Sequence, residues 1–88
     1  MSWVCKFDHR ALRELNKLDP QSKQQILAYL EERLETDSDP RPFGKGLKAN
    51  LAGLWRYRVG NYRIICRIVD DEFIVLVLAT GHRKTIYE

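Results

Sequence analysis

The stretch LWRYRVGNYRIICRI, Leu54 to Ile68, consists of two apolar, strand-like runs joined by Gly60-Asn61. A two-residue joint of this composition predicts a tight β-hairpin. Its register sets Val59 against Tyr62, Arg58 against Arg63, Tyr57 against Ile64, Arg56 against Ile65 and Trp55 against Cys66. Side chains alternate along a strand. Trp55, Tyr57, Val59, Tyr62, Ile64 and Cys66 therefore share one face, and Arg56, Arg58, Arg63 and Arg67 share the other with Leu54 and Ile65. Arg56 and Arg67 taken singly fit an ordinary solvent-facing sheet, where long stems cover apolar surface. The directly opposed Arg58 and Arg63 do not, because like charges across a strand pair cost stability. No carboxylate stands on either run to offset them. An anion between them would, and the planar guanidinium fork suits a phosphate gripped bidentately.

Outward from the hairpin, FIVLVLAT (Phe73–Thr80) predicts a third strand after a short turn at Asp70-Asp71-Glu72. That connection brings Arg63 opposite Leu78 or Thr80. The following GHRKTIY would then gather His82, Arg83, Lys84 and Tyr87 beside Arg58 and Arg63, with Gly81 turning the chain out of the sheet. Such a cluster is a phosphate site with proton-transfer and base-stacking capacity. Lys45 and Lys48, in the Pro- and Gly-rich loop before the hairpin, extend it electrostatically. Bland readings exist for the tail: His82 as a polar strand end, Lys84 as a solvated charge, Tyr87 as a cap on the core. His9, in the first helical turn, reads as surface or capping. Trp3, Trp55 and Tyr57 read as core.

Towards the N-terminus, SWVCKF is a short strand. Asp8 caps a helix carrying Ala11, Leu12, Leu15 and Leu18 on one stripe. Asp19-Pro20 starts a second helix, with Ile26, Leu27, Leu30 and Leu34 facing inward. The expected fold is α+β: a four-stranded antiparallel sheet with a helical hairpin on one face, in the order β-α-α-β-β-β, as a single domain over 1–88. FIVLVLA is apolar at every position, as for a central strand buried on both sides, with the first strand beside it.

The 88 residues are 44% hydrophobic and 31% charged, which suits one small globular domain. The net charge of +3 is unevenly spread: residues 1–40 hold six Lys/Arg and eight Asp/Glu, residues 41–88 nine and four. A basic half on an acidic half suggests a face for a polyanion or for an acidic protein segment. No signal-peptide plan and no bilayer-length apolar run is present. Cys5 and Cys66 lie in strand-like runs without metal-ligand spacing, so they read as buried thiols in a reducing compartment. A cytoplasmic protein without metal or cofactor is expected.

The ordered set FDHRALRELNKLD, GLWRYRVGNYRII and ATGHRKTIY resembles the RelE branch of the RelE/ParE toxin superfamily nearly end to end. The resemblance implies a ribosome-dependent endoribonuclease of bacteria or archaea, metal-independent, that cuts mRNA in the decoding site. The ribose 2′-OH attacks the adjacent phosphate, leaving a 2′,3′-cyclic phosphate and a 5′-OH. It also implies a cognate antitoxin that wraps the toxin and displaces its active-site elements, with DNA met only through that complex. On the matching positions, Arg56 and Arg58 are basic strand residues, Arg63 contacts the scissile phosphate, Arg83 assists the leaving 5′-oxygen and Tyr87 stacks on an mRNA base. Better-known members carry lysine where this chain has Arg56 and Arg58. Arginine is a poor base near neutral pH, so Arg58 would act electrostatically, and the base would be His82 or a ribosomal group.

Two other classes fit part of this pattern. A ParE-like gyrase inhibitor shares the fold, but such toxins generally lack the H-R-x-x-x-Y tail. A non-catalytic basic module that binds RNA or protein fits the charge and leaves Arg83 and Tyr87 without a specific task.

Overall fold

The computed structural model describes residues 2–82. Strand β1 (Val4–Phe7) leads into α1 (His9–Asn16) and α2 (Pro20–Tyr29), which runs on into a π-helical turn, Leu30–Leu34. A loop containing a 3-10 turn (Arg41–Phe43) and a two-residue strand β2 (Lys45–Gly46) precedes β3 (Trp55–Val59), β4 (Tyr62–Val69) and β5 (Ile74–His82).

Both helices begin where side-chain caps dictate. The Asp8 carboxylate accepts the Ala11 N–H at 2.8 Å, and Asp19 accepts the Ser22 N–H at 3.0 Å with Pro20 in the first turn. Helix α1 packs on β5 and α2 reaches β3. Ala11 and Leu15 of α1 and Ile26 of α2 are buried against Tyr57, Ile64, Val75 and Val77, as are Leu30 and Leu34 of the π-turn. Leu12, expected on the inward stripe, is 45% exposed. It stands one position from Ala11, about 100° round the helix, and only one narrow strip of so short a helix meets the sheet.

The sheet order is β1-β5-β4-β3-β2. Two expectations need correction. The sheet has five strands, because Lys45 and Gly46 pair with Arg56 and Trp55 as an added edge. It is also mixed rather than antiparallel: β1 runs parallel to β5, Val4 beside Ile74 and Phe7 beside Val77. The chain between them, two helices followed by β2, β3 and β4, supplies the long connection that a parallel pair needs. The outer edge of β1 is closed by Glu35, which accepts the Cys5 N–H at 2.9 Å.

Strand β5 lies inside the sheet, as expected, but its two faces differ in burial. Val75 and Val77 are fully buried, whereas Ile74, Leu76 and Leu78 on the other side are partly open. The expected register also shifts. Cys66 pairs with Val77 and Ile65 with Ala79, leaving Leu78 as a bulge, so Arg63 lies opposite Gly81 rather than Leu78 or Thr80.

Both cysteines are free thiols. Burial, then the Glu35 charge, pushes Cys5 up to about 12, and burial holds Cys66 well above the usual thiol range. Neither is a thiolate near neutral pH, so both are inert core groups.

Candidate functional site

The hairpin forms in the register that Gly60-Asn61 predicts, from Val59–Tyr62 to Trp55–Cys66. Gly60 has φ +60°, the conformation a type II′ turn requires at its first central residue. Arg58 and Arg63 are direct cross-strand neighbours. Tyr57, Val59, Ile64 and Cys66 turn into the core under the helices. The other face carries Lys45, Arg56, Arg58, Arg63 and Arg67 around a buried Ile65 and Ala79. Arg58 and Arg67 are exposed, and Arg56 and Arg63 are half-buried with their Nε atoms withdrawn from solvent. None of the strand residues on this face is Asp, Glu or His. It is a preorganised cationic surface resting on apolar ground.

Two clefts meet at Arg58. One, of about 240 Å³, is lined by Pro42, Phe43, Gly44, Lys45, Arg56 and Arg58. The other, of about 290 Å³, lies between the hairpin turn and α2, with Tyr29, Arg33 and Arg58 on its wall. Lys48 is exposed and borders a further hollow with Lys45 and Arg56. Lys45 and Lys48 thus lie beside Arg56, with Lys45 on a strand rather than in the expected loop.

The wall of the first cleft is held by a tightly fastened loop. Tyr57 Oη donates to the Pro40 carbonyl at 2.8 Å, and Trp55 Nε1 donates to the Arg41 carbonyl at 3.0 Å. The Arg41 guanidinium forks onto both Asp70 oxygens, at 3.0 and 2.7 Å. That pairing raises the Arg41 pKa and lowers the Asp70 pKa. A lowered carboxyl contributes stability above its ordinary pKa, roughly 3.9, and loses it as pH falls through the folded value. Asp70→Asn should therefore flatten the acid limb of a stability–pH curve below about pH 4, checked by urea titration across pH. An unchanged limb would show the fork to be idle.

The bulge at Leu78 decides where His82 goes. A one-residue shift sends a side chain to the opposite face of a sheet. His82 pairs with Tyr62, and the two rings meet edge to face at 5.7 Å on the helix side. The structure thus brings Arg58, Arg63, Arg56 and Lys45 together and sets His82 across the sheet from them, contrary to the expected cluster. Arg83, Lys84 and Tyr87 lie outside the described residues. Two residues at the site were not anticipated. Arg33, on the π-turn, lies over the Tyr29 and Phe43 rings at 5.9 and 5.8 Å. Phe43 itself is 45% exposed. The aromatic between Pro42 and Gly44-Lys45 was a visible cue for Phe43; nothing in the helix pattern marked Arg33.

Residues 5–87 match the family model described as the ParE toxin of type II toxin-antitoxin system, parDE. The chain belongs to the RelE/ParE toxin superfamily. Among its relatives in this superfamily is the toxin RelG of Mycobacterium tuberculosis, 37% identical over 99% of this chain and 98% of that protein. The mRNA interferase toxin RelE of Escherichia coli K12 is 31% identical over 96% and 86%. Among solved structures, the toxin–antitoxin complex RelBE2 of Mycobacterium tuberculosis superposes with a TM-score of 0.86 at 31% identity, covering 94% of this chain and 93% of its counterpart. No helix among the described residues is long and apolar enough to cross a membrane.

Proposed function

We propose that this RelE/ParE toxin is a ribosome-dependent mRNA endoribonuclease. The observation that carries the reading is the opposed Arg58–Arg63 pair on a sheet face whose strand residues, among those described, include no carboxylate. Two guanidinium groups held against each other stabilise the growing negative charge on a phosphate attacked by the neighbouring ribose 2′-OH. Preorganised cations of this kind act more strongly on the transition state than on the ground state. Arg56, Lys45 and Lys48 hold the flanking backbone, and Lys84 adds to that charge. Arg83 stabilises the leaving 5′-oxygen and Tyr87 stacks on a base. With His82 turned towards Tyr62, the proton acceptor is a ribosomal group rather than His82. The curated relative of Escherichia coli named an mRNA interferase supports this activity.

The partner is a cognate antitoxin, as in the RelBE2 complex. An amphipathic segment with acidic residues suits this cationic face, which joins the arginines to a half-buried Leu54 and the partly open Ile74, Leu76 and Leu78 of β5. DNA would be met only through that complex.

Primer extension on a reporter mRNA translated in a reconstituted extract tests the reading. Cuts at a fixed position within codons, dependent on ribosomes and lost in Arg83→Ala, are expected. Intact mRNA together with gyrase-dependent DNA breaks would instead assign the protein to the ParE-like, gyrase-inhibiting alternative.

A further inference from the structure

Phe43 is the one large aromatic among the described residues with nearly half its surface open. A lone exposed phenylalanine is unremarkable in itself, but this one stands in particular company. Its ring lines the same cleft as Lys45, Arg56 and Arg58. The π-turn of Leu30–Leu34 places Arg33 over the ring, the guanidinium carbon 5.8 Å from its centroid. The backbone that carries it is immobilised by Tyr57 and Trp55 through the Pro40 and Arg41 carbonyls. A rigid aromatic beside a row of cations is the combination by which proteins hold single-stranded nucleic acid, stacking on bases while neutralising the backbone.

We infer that Phe43 is the stacking platform for the mRNA base adjoining the phosphate engaged by Arg58, with Lys45 and Arg56 taking the backbone of the same strand across the cleft. The inference rests on the nuclease reading and adds to it a base-binding subsite at the β2–β3 edge of the sheet. Arg33, lying against Phe43, backs the platform and presents its charge to the same nucleotide. A stacked base fixes the ribose, so that the 2′-OH is aligned with the phosphate it attacks. Stacking tolerates any base, so this subsite orients the substrate and leaves codon choice to other contacts.

The test is single-turnover cleavage of a short synthetic mRNA on programmed ribosomes by the parent toxin, Phe43→Leu, Phe43→Tyr and Phe43→Trp, with thermal melts of each. Phe43→Leu keeps the apolar volume and removes the ring; it is expected to fold normally and cleave about ten-fold more slowly or worse, a loss typical of one stacked base. Phe43→Tyr and Phe43→Trp are expected to restore cleavage. An mRNA with an abasic nucleotide at the stacked position should slow the parent by a similar factor and leave Phe43→Leu no slower still. Parent-like cleavage by a folded Phe43→Leu would overturn the platform while leaving the nuclease reading intact. Equal losses in all three variants would overturn it too, since a stacking role is met by any ring. A parent toxin that cuts no programmed mRNA would remove both readings together.

Discussion

Arg58→Glu is expected to fold at least as well as its parent and to stop cutting mRNA. Arg58 is exposed and faces Arg63 directly, so the substitution turns a repulsive cross-strand pair into an attractive one. Pairs of this kind are worth roughly 0.2–1 kcal/mol. In a domain this small, 1 kcal/mol corresponds to about 4–8 °C in melting temperature. The melting curve should therefore stay level or rise by a few degrees. Activity should move the other way and much further. Loss of one group that stabilises transition-state charge typically costs about 100- to 1000-fold, and a carboxylate in its place also repels the phosphate. Thermal melts and primer extension on the same preparations check both halves. A variant that still cuts would remove Arg58 from the site, and one that melts well below its parent would show that the pair is not frustrated. Both results together would mark the opposed arginines as stability given up for function, the usual direction of compromise at an active site.

Gly44→Ala should show the reverse profile, with the fold failing first. The Gly44 backbone is extended, so torsion does not demand glycine there; space does. A Cβ would lie 2.8 Å from Tyr57 Cδ1 and 2.9 Å from Trp55 Cδ1, and would collide with the Arg56 carbonyl. None of these neighbours gives way easily. Tyr57 is fully buried, both rings are tied by hydrogen bonds to the loop, and Arg56 is backbone in the sheet. Overpacking of this kind costs about 1–3 kcal/mol, and the upper part of that range would lower the melting temperature by about 10–20 °C. Cleavage at a permissive temperature should also fall, because Phe43 and Lys45 ride on the displaced loop. A parent-like melting curve would mean that the loop is free to lift off β3.

Legibility followed the strength of the local pattern. The Gly60-Asn61 joint and the alternation on each side specified the hairpin rung by rung, and with it the Arg58–Arg63 pair. The caps at Asp8 and Asp19 were equally plain. Three features were not. Lys45-Gly46 is too short to show any period and lies in a Pro- and Gly-rich segment, so its strand pairing depends on Trp55 and Tyr57 anchoring the loop from elsewhere in the chain. The direction of β1 depends on how two helices cross the sheet, which no residue in SWVCKF encodes. The bulge at Leu78 was hidden because FIVLVLA is apolar on both of its faces. A strand without alternation does not signal its register, and here the missing signal decided whether His82 joined the arginines. Leu12 shows the same lesson on a helix: an apolar side chain at a plausible position stays outside when the element is too short to be wrapped.

The bulge also bears on how chains of this kind change by descent. Between the rung at Cys66–Val77 and that at Arg63–Gly81, β5 holds one residue more than β4. Every position beyond it owes its facing to that odd count. Losing or gaining one residue there would exchange the two faces for the rest of the strand, carrying His82 to the arginines and Gly81 away, whatever the composition. Losing or gaining two would leave each facing as it was. Lineages should therefore accept amino-acid replacement within Leu78-Ala79 far more readily than a single-codon deletion, and length changes that persist should come in pairs.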